Sequence, residues 1–184
     1  MISRELGGRL KSLMGKGKAI VLIGARQTGK TTLLHELVKS GKNVQWLDAD
    51  DISIRNMIGE LTIARLQTLF GQNDIIVVDE AQRVENIGIQ MKLITDHLPQ
   101  VQLFISGSSA FELANKVNEP LTGRKWEYQL YPLSFNELQK HFGMWNEMRN
   151  LPIRLVYGSY PDVVNNIGNE KLVLSQLTNS YLYK

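Results

Sequence analysis

Eight residues, Gly24-Ala25-Arg26-Gln27-Thr28-Gly29-Lys30-Thr31, directly follow the apolar run Ala19–Ile23. They fit G-x-x-x-x-G-K-[ST] at every fixed position. The pattern constrains the backbone before it speaks of chemistry. Its glycines let the main chain wrap a ligand without Cβ clashes. Successive N–H groups then form a nest for an anion, backed by the positive end of the helix that follows. The arrangement needs a buried strand before the loop and a helix after it. Ala19–Ile23 reads as a strand buried on both faces, and Thr31–Ser40 reads as a helix stopped by Gly41. In such a loop Lys30 reaches the β- and γ-phosphates as a point charge and the Thr31 hydroxyl ligates Mg²⁺. Gly24, Ala25, Arg26, Gln27, Thr28, Gly29, Lys30, Thr31 and Thr32 are the expected nucleotide-contacting residues. The competing reading is an ordinary glycine-rich strand–helix turn.

The rest of the chain repeats the alternation. Strands are expected at Val44–Leu47, Asp74–Val78, Val101–Ile105 and Trp126–Leu130. Helices are expected over Ile52–Phe70 with an interruption at Gly59, over Ile87–His97, and over Ser109–Val117. Ile2, Leu6, Leu10 and Leu13 recur at helical spacing, with Arg4, Arg9 and Lys11 turned outward. Ser134-Phe135-Asn136-Glu137 has the form of a capping box and opens another helix. Residues 146–157 read as helical with a break or kink at Pro152. Pro161 starts a further helix, and Glu170–Lys184 is helical with no stop signal. Strands alternating with helices give an α/β sandwich around a parallel sheet. Residues 1–130 are expected to form this core, and residues 131–184 a helical extension.

A second signal follows the loop by about 50 residues: Ile75-Ile76-Val77-Val78 runs into Asp79-Glu80. A carboxylate at the end of a buried strand suits the coordination shell of Mg²⁺, the role expected of Asp79. Glu80 is placed to polarise a water for attack on the γ-phosphate. A small-molecule kinase must exclude water and has no use for such a glutamate, whereas an ATPase needs one. Polar residues also close the fourth strand, in Phe104-Ile105-Ser106-Gly107-Ser108-Ser109. One of these serines is expected to orient the water or sense hydrolysis, Ser108 being preferred to Ser106, while Ser108 or Ser109 caps the next helix. Arg124 is the candidate transition-state cation, the alternative being a surface-turn arginine paired with Glu127. Arg26 would touch phosphate or partner, or pair with an acidic neighbour. Asp48, Asp50 and Asp51 form either a second metal site or, in the preferred reading, a solvated turn. Trp126, Tyr128, Tyr131 and Phe135 would stack on single-stranded nucleic acid or, preferably, pack in the core.

Composition narrows the remaining classes. With no cysteine, thiolate metal sites and cysteine nucleophiles are excluded, and three scattered histidines argue against a histidine metal site. Residues 1–42 carry nine basic and two acidic residues, an excess that tempts a nucleic-acid reading. Arg26, Lys30, Lys39 and Lys42 are committed to the phosphate loop and its helix, so the patch that remains is modest and nucleic-acid binding is not expected. No apolar run reaches the roughly 18 residues of a membrane span, and the first twenty residues lack the apolar core of a signal peptide. The chain therefore reads as cytoplasmic. No guanine-reading N-K-x-D stretch occurs, so ATP is the expected nucleotide.

Five segments in order, GARQTGKTTLL, DEAQR, FISGSSAFEL, LTGRKWEYQLYPLSFNEL and YGSYPDVV, resemble the bacterial and archaeal AAA-like ATP-binding proteins. The resemblance covers nearly all of residues 1–184. It implies an additional-strand P-loop NTPase fold of three layers with sheet order 5-1-4-3-2. It implies Lys30 and Thr31 at phosphate and Mg²⁺, Asp79 and Glu80 as metal-side and catalytic carboxylates, and a sensor at the Gly107-Ser108 turn. Arg124 matches the family's Gly-Arg motif. In that family the ATPase region precedes a C-terminal domain of unknown function, so a fragment of a longer chain is expected here. Consistent with that, the final helix offers Leu172, Leu174, Leu177 and Leu182 with no evident partner. Two functions follow as expectations: a Mg²⁺-dependent ATPase that drives or times an action of the missing domain, weak when isolated and possible as an oligomer, or a nucleotide-gated signalling module with slow turnover.

Overall fold

The computed structural model describes residues 1–108, 113, 117 and 119–182. They fall into two compact units. The larger comprises Leu6–Arg26 and Lys30–Leu130; the smaller comprises Met1–Glu5, Gln27–Gly29 and the chain from Tyr131 onward.

The larger unit is built on β1 (Ala19–Ile23), β2 (Val44–Asp48), β3 (Ile75–Asp79), β4 (Gln102–Gly107) and β5 (Lys125–Gln129). They form an all-parallel sheet in the order β2-β3-β4-β1-β5. This is the expected order read from the other edge, so the fold is a P-loop NTPase fold of the additional-strand type. Side chains alternate across it. Ala19, Val21 and Ile23 of β1 join Ile76 and Val78 of β3 on one face. That face is covered by α3 (Ile52–Gly59), α4 (Ile63–Phe70) and α5 (Ile87–His97), through Ile58, Leu66, Phe70, Ile87, Met91 and Ile94. Ile20, Leu22, Val77 and Phe104 point to the other face, under Leu10 of α1 (Glu5–Leu13) and Leu33, Leu34 and Leu37 of α2 (Lys30–Val38). Three layers result, and β1, β3 and β4 are buried along their whole length, as unbroken apolar runs require.

The parallel register fixes what lies at each end. Ile23 pairs with Gly107, and Val78 with Ile105. The phosphate loop, Asp79 and Ser106–Ser108 therefore all leave the carboxyl edge of the sheet, where ligands bind in open α/β folds. Arg124 precedes β5 and sits at the opposite edge, since Ala19 pairs with Lys125 and the Ala19 N–H donates to the Arg124 carbonyl. The five residues of β1 separate the two edges by about 16 Å.

The interruption expected at Gly59 is present: Ile52–Phe70 is two helices, α3 ending at Gly59 and Thr62 capping α4 through the Arg65 N–H. The helix expected over Ser109–Val117 lies outside the described residues except for Leu113 and Val117, both fully buried.

The smaller unit contains α6 (Phe135–Phe142), α7 (Met144–Tyr157), α8 (Pro161–Asn165) and α9 (Glu170–Leu182). The capping box is formed: the Ser134 hydroxyl accepts from the Glu137 N–H, and the Glu137 carboxylate from the Ser134 N–H. Of the break or kink expected at Pro152, the break does not occur: α7 runs through it. A buried pair, Arg154 Nε to Glu147 Oε1 at 2.8 Å, straddles the proline and ties the flanking turns together. The leucines of α9 are not all unpartnered either. Leu177 and Val173 are buried with Val163, and Leu174, Tyr157 and Tyr160 pack against them. Leu172 is exposed, as expected, and residues 183–184 lie outside the described part. No helix among the described residues is long and apolar enough to cross a membrane.

Candidate functional site

The phosphate loop joins the end of β1 to the start of α2. Two of its residues take positive φ, Gln27 at 61° and Gly29 at 93°. Glycine adopts this backbone freely; glutamine adopts it at a cost that the surrounding loop must sustain. Lys30 is only 5% exposed, and its Nζ donates to the carbonyls of Gly24 and Ala25, both at 2.9 Å. Burial lowers its pKa below the usual lysine value, while Glu80 and Asp79 raise it and Arg26 lowers it further. Lys30 is thus an ammonium held among carbonyls, with two carboxylates acting on it.

Thr31 Oγ1 donates to Asp79 Oδ2 at 2.8 Å, across 48 residues of sequence. Asp79 is 5% exposed. Its other oxygen accepts from the Ser106 hydroxyl and, at 3.1 Å, from the Glu80 N–H. Among the described residues Asp79 forms no ion pair within 4 Å, so hydroxyl and amide dipoles meet it directly and the Lys30 ammonium acts on it from farther away. A buried carboxylate beside a hydroxyl, both hard oxygen donors, fits Mg²⁺, which takes few protein ligands and shares the rest with phosphate and water.

Glu80 has left-handed backbone, φ 49° and ψ 38°. The carboxylate that follows the strand is therefore turned by the main chain itself. Its Oε2 accepts from Ser108 Oγ at 3.0 Å and from Gln82 Nε2 at 2.5 Å, and Gln82 Nε2 also lies 3.0 Å from Ser108 Oγ. The two serines weighed as alternatives have separate partners, Ser106 on Asp79 and Ser108 on Glu80. Gln82 was not singled out from the sequence, although it stands two residues after Glu80 in DEAQR. Arg4, which its spacing turns outward, is instead 8% exposed, and its NH1 donates to the Thr28 carbonyl at 2.6 Å.

Arg124 is not among the residues brought together. Its Nε pairs with Asp96 at 2.6 Å, and the Glu127 proposed for it pairs with Lys125 instead. The acidic turn beyond β2 is likewise occupied. Asp51 caps α3 through Ser53, Asp50 pairs with Arg83 at 2.5 Å, and Asp48 accepts from the Asp50 N–H. Of the aromatic stretch, Trp126 lies under Lys18 and Tyr128 under Arg9, which draws two cations of the N-terminal excess onto the edge strand.

A sequence model described as an AAA domain matches residues 16–139. Two proteins named only as uncharacterized, from Mycobacterium bovis and Mycobacterium tuberculosis, are each 28% identical over 122 residues. The matched part is 66% of this chain and 26% of each relative, so the chain matches about a quarter of the relatives' length. Among solved structures, the Walker-type ATPase of Pyrococcus abyssi superimposes with a TM-score of 0.66 at 15% identity, over all of this chain and 74% of that one. A signal-transduction ATPase with numerous domains from Pyrococcus horikoshii gives 0.54 at 14% identity, over 96% of this chain and 32% of that one. The Aeropyrum pernix Orc1 protein, solved in complex with DNA, gives 0.51 at 17% identity, over 76% and 48%. At such identities the superpositions speak for the fold alone. The sequence model covers both phosphate-side motifs and the whole sheet, and with it the chain belongs to the AAA domain family of P-loop ATPases.

Proposed function

We propose that this chain is the Mg²⁺-dependent ATP-binding and hydrolysing part of a larger protein. The observation that carries the reading is the bonding of Thr31 to Asp79 beside Lys30, with Glu80 adjacent at the same sheet edge. Gly24–Thr32 would cradle the triphosphate, with Lys30 meeting its terminal charge. Thr31 and Asp79 would hold Mg²⁺, which would neutralise the phosphate oxygens when bound. Glu80 would orient the attacking water and take up its proton, and Ser108 would report the state of that carboxylate. Adenine is proposed in place of guanine from the lack of an N-K-x-D stretch. Hydrolysis would drive or time an action in the rest of the longer protein. Residues 1–130 are proposed as the ATPase part and 131–184 as the extension toward that remainder.

One observation favours the second reading, a nucleotide-gated signalling module with slow turnover. Both donors on Glu80 fall on the same oxygen, so turning the carboxylate toward a water costs two hydrogen bonds. Titration of wild type with ATP and Mg²⁺, against Lys30→Ala and Glu80→Gln, tests the reading. Lys30→Ala is expected to lose most triphosphate affinity. Glu80→Gln is expected to bind ATP normally and to lose about 10²–10⁴-fold in turnover. Equal ATP binding by wild type and Lys30→Ala refutes the phosphate-loop assignment. Single turnover in wild type as slow as in Glu80→Gln selects the gated module.

A further inference from the structure

We propose that Arg4 is a positioning residue of the phosphate loop and couples the loop's state to the start of α6; the inference rests on the nucleotide-binding reading above. Within the smaller unit one guanidinium meets three acceptors: the Thr28 carbonyl at 2.6 Å, the Tyr131 carbonyl at 2.5 Å and Glu137 Oε1 at 3.1 Å. The Glu137 side chain is 6% exposed and accepts from two further donors. Its Oε1 also accepts from the Glu5 N–H at 2.8 Å, and its Oε2 from the Ser134 N–H at 2.9 Å. The same carboxylate therefore completes the capping box of α6 and anchors Arg4.

Two consequences follow from elementary geometry. The peptide Thr28–Gly29 is planar and trans, so a carbonyl drawn to Arg4 sends the Gly29 N–H the opposite way. That N–H belongs to the nest of the phosphate pattern, and it immediately precedes Lys30. Arg4 thus sets the orientation of one anion-binding donor through that carbonyl, three of its five N–H donors being engaged by two carbonyls and a carboxylate. Second, a guanidinium presents a rigid planar fork, whereas a lysine ammonium is a single point that cannot reach three acceptors spread across that plane. The thermodynamic corollary is reciprocal. If the Arg4–Thr28 bond favours the phosphate-binding form of the loop, a bound triphosphate must favour the Arg4–Glu137–Ser134 arrangement by the same factor.

The test uses the full chain. Binding of a fluorescent ATP analogue with Mg²⁺ is compared in wild type, Arg4→Lys, Arg4→Met and Lys30→Ala, and amide hydrogen exchange over residues 134–138 is measured with and without ATP. Wild type is expected to bind and Lys30→Ala not to. Arg4→Met is expected to bind roughly tenfold more weakly, within the usual range of coupling between sites, with Arg4→Lys close to it despite the retained charge. ATP is expected to slow exchange over 134–138 in wild type and to leave it unchanged in both Arg4 variants. A purely structural Arg4 would alter the basal exchange but keep the ATP-dependent difference, and that result overturns the proposal. So does wild-type affinity in Arg4→Lys, which decides the matter if Arg4→Met fails to fold. Wild type that does not bind ATP refutes the parent reading instead, and this inference falls with it.

Discussion

Gly107 closes β4, and a single methyl group there would test how tightly the carboxyl edge of the sheet is built. An ideal Cβ at this position would lie 2.6 Å from Gln82 Oε1 and 2.6 Å from Leu113 Cδ2. Contacts that short do not persist, so one neighbour must move. Leu113 is fully buried, and Gln82 is 7% exposed with its Nε2 on Glu80 and Ser108. Forcing extra volume into a packed site costs about 1–3 kcal/mol. In a chain of this size each kcal/mol shifts the melting temperature by about 2–4 °C, so Gly107→Ala is expected to melt roughly 2–12 °C lower. The gentler way out for the methyl is to displace Gln82, which removes one of the two donors holding Glu80. Turnover is then expected to change while ATP affinity, set at Lys30, does not. Calorimetry or a fluorescence melt reads the first effect, and phosphate release at saturating ATP reads the second. Adding Gln82→Ala relieves one of the two clashes, so the double variant is expected to lose less stability than the sum of the single ones. A Gly107→Ala chain that melts and turns over like wild type would refute this reasoning, because the end of β4 would then have room the distances deny it.

Two further outcomes follow from placement and charge. Arg124→Ala is expected to leave ATP binding and turnover of the isolated chain unchanged, because Arg124 lies at the far edge of the sheet in a half-exposed pair with Asp96; its stability cost is expected to stay below about 1 kcal/mol. A loss of turnover in Arg124→Ala would show that this arginine reaches phosphate, in practice from a neighbouring copy. Lys30 has its pKa lowered chiefly by burial, so between its folded value and the ordinary lysine value the unfolded chain holds more protons than the folded one, and stability from this group rises with pH. Melting temperatures of wild type and Lys30→Met compared from neutral to alkaline pH are therefore expected to shift in favour of wild type as pH rises, and a difference that stays constant contradicts the assignment.

How much of this was legible in the sequence depended on how local each signal is. The phosphate loop is one contiguous octet whose glycines and lysine are spaced by the backbone they impose. Ile75–Asp79 could be read because a strand buried on both faces leaves an unbroken apolar run. The sheet order came from resemblance, since no local pattern states which strands are neighbours. Arg4 carries no local mark. Its spacing from Ile2 and Leu6 matches an exposed helical position, and its partners stand 24, 127 and 133 residues away. Gln82 stood in view, but its role depends on Ser108, brought beside it only by the pairing of β3 with β4. Arg124 stands away from the loop for a reason the sequence already contained. In a parallel sheet, residues before a strand sit at the opposite edge from those after it, and Arg124 comes before β5.

Thr31 and Lys30 are both bonded within the chain, but not equivalently. A hydroxyl has one proton to donate and two lone pairs. Thr31 can therefore keep its bond to Asp79 and still offer oxygen to a cation, so engaging Mg²⁺ need not break that contact. Lys30 differs. Its Nζ already donates to the Gly24 and Ala25 carbonyls, and a phosphate oxygen must compete with those neutral acceptors. The competition favours phosphate, because it sets full opposite charge against the ammonium where the carbonyls offer only a dipole. Lys30 is also the group whose charge the fold disfavours, and an incoming polyanion removes that penalty. The energetic response to a triphosphate is therefore concentrated at one buried ammonium, while the surrounding loop is held ready by Gln27, Gly29 and the hydrogen bond from Arg4. On this argument loss of Lys30 removes more binding free energy than loss of any hydroxyl in the site.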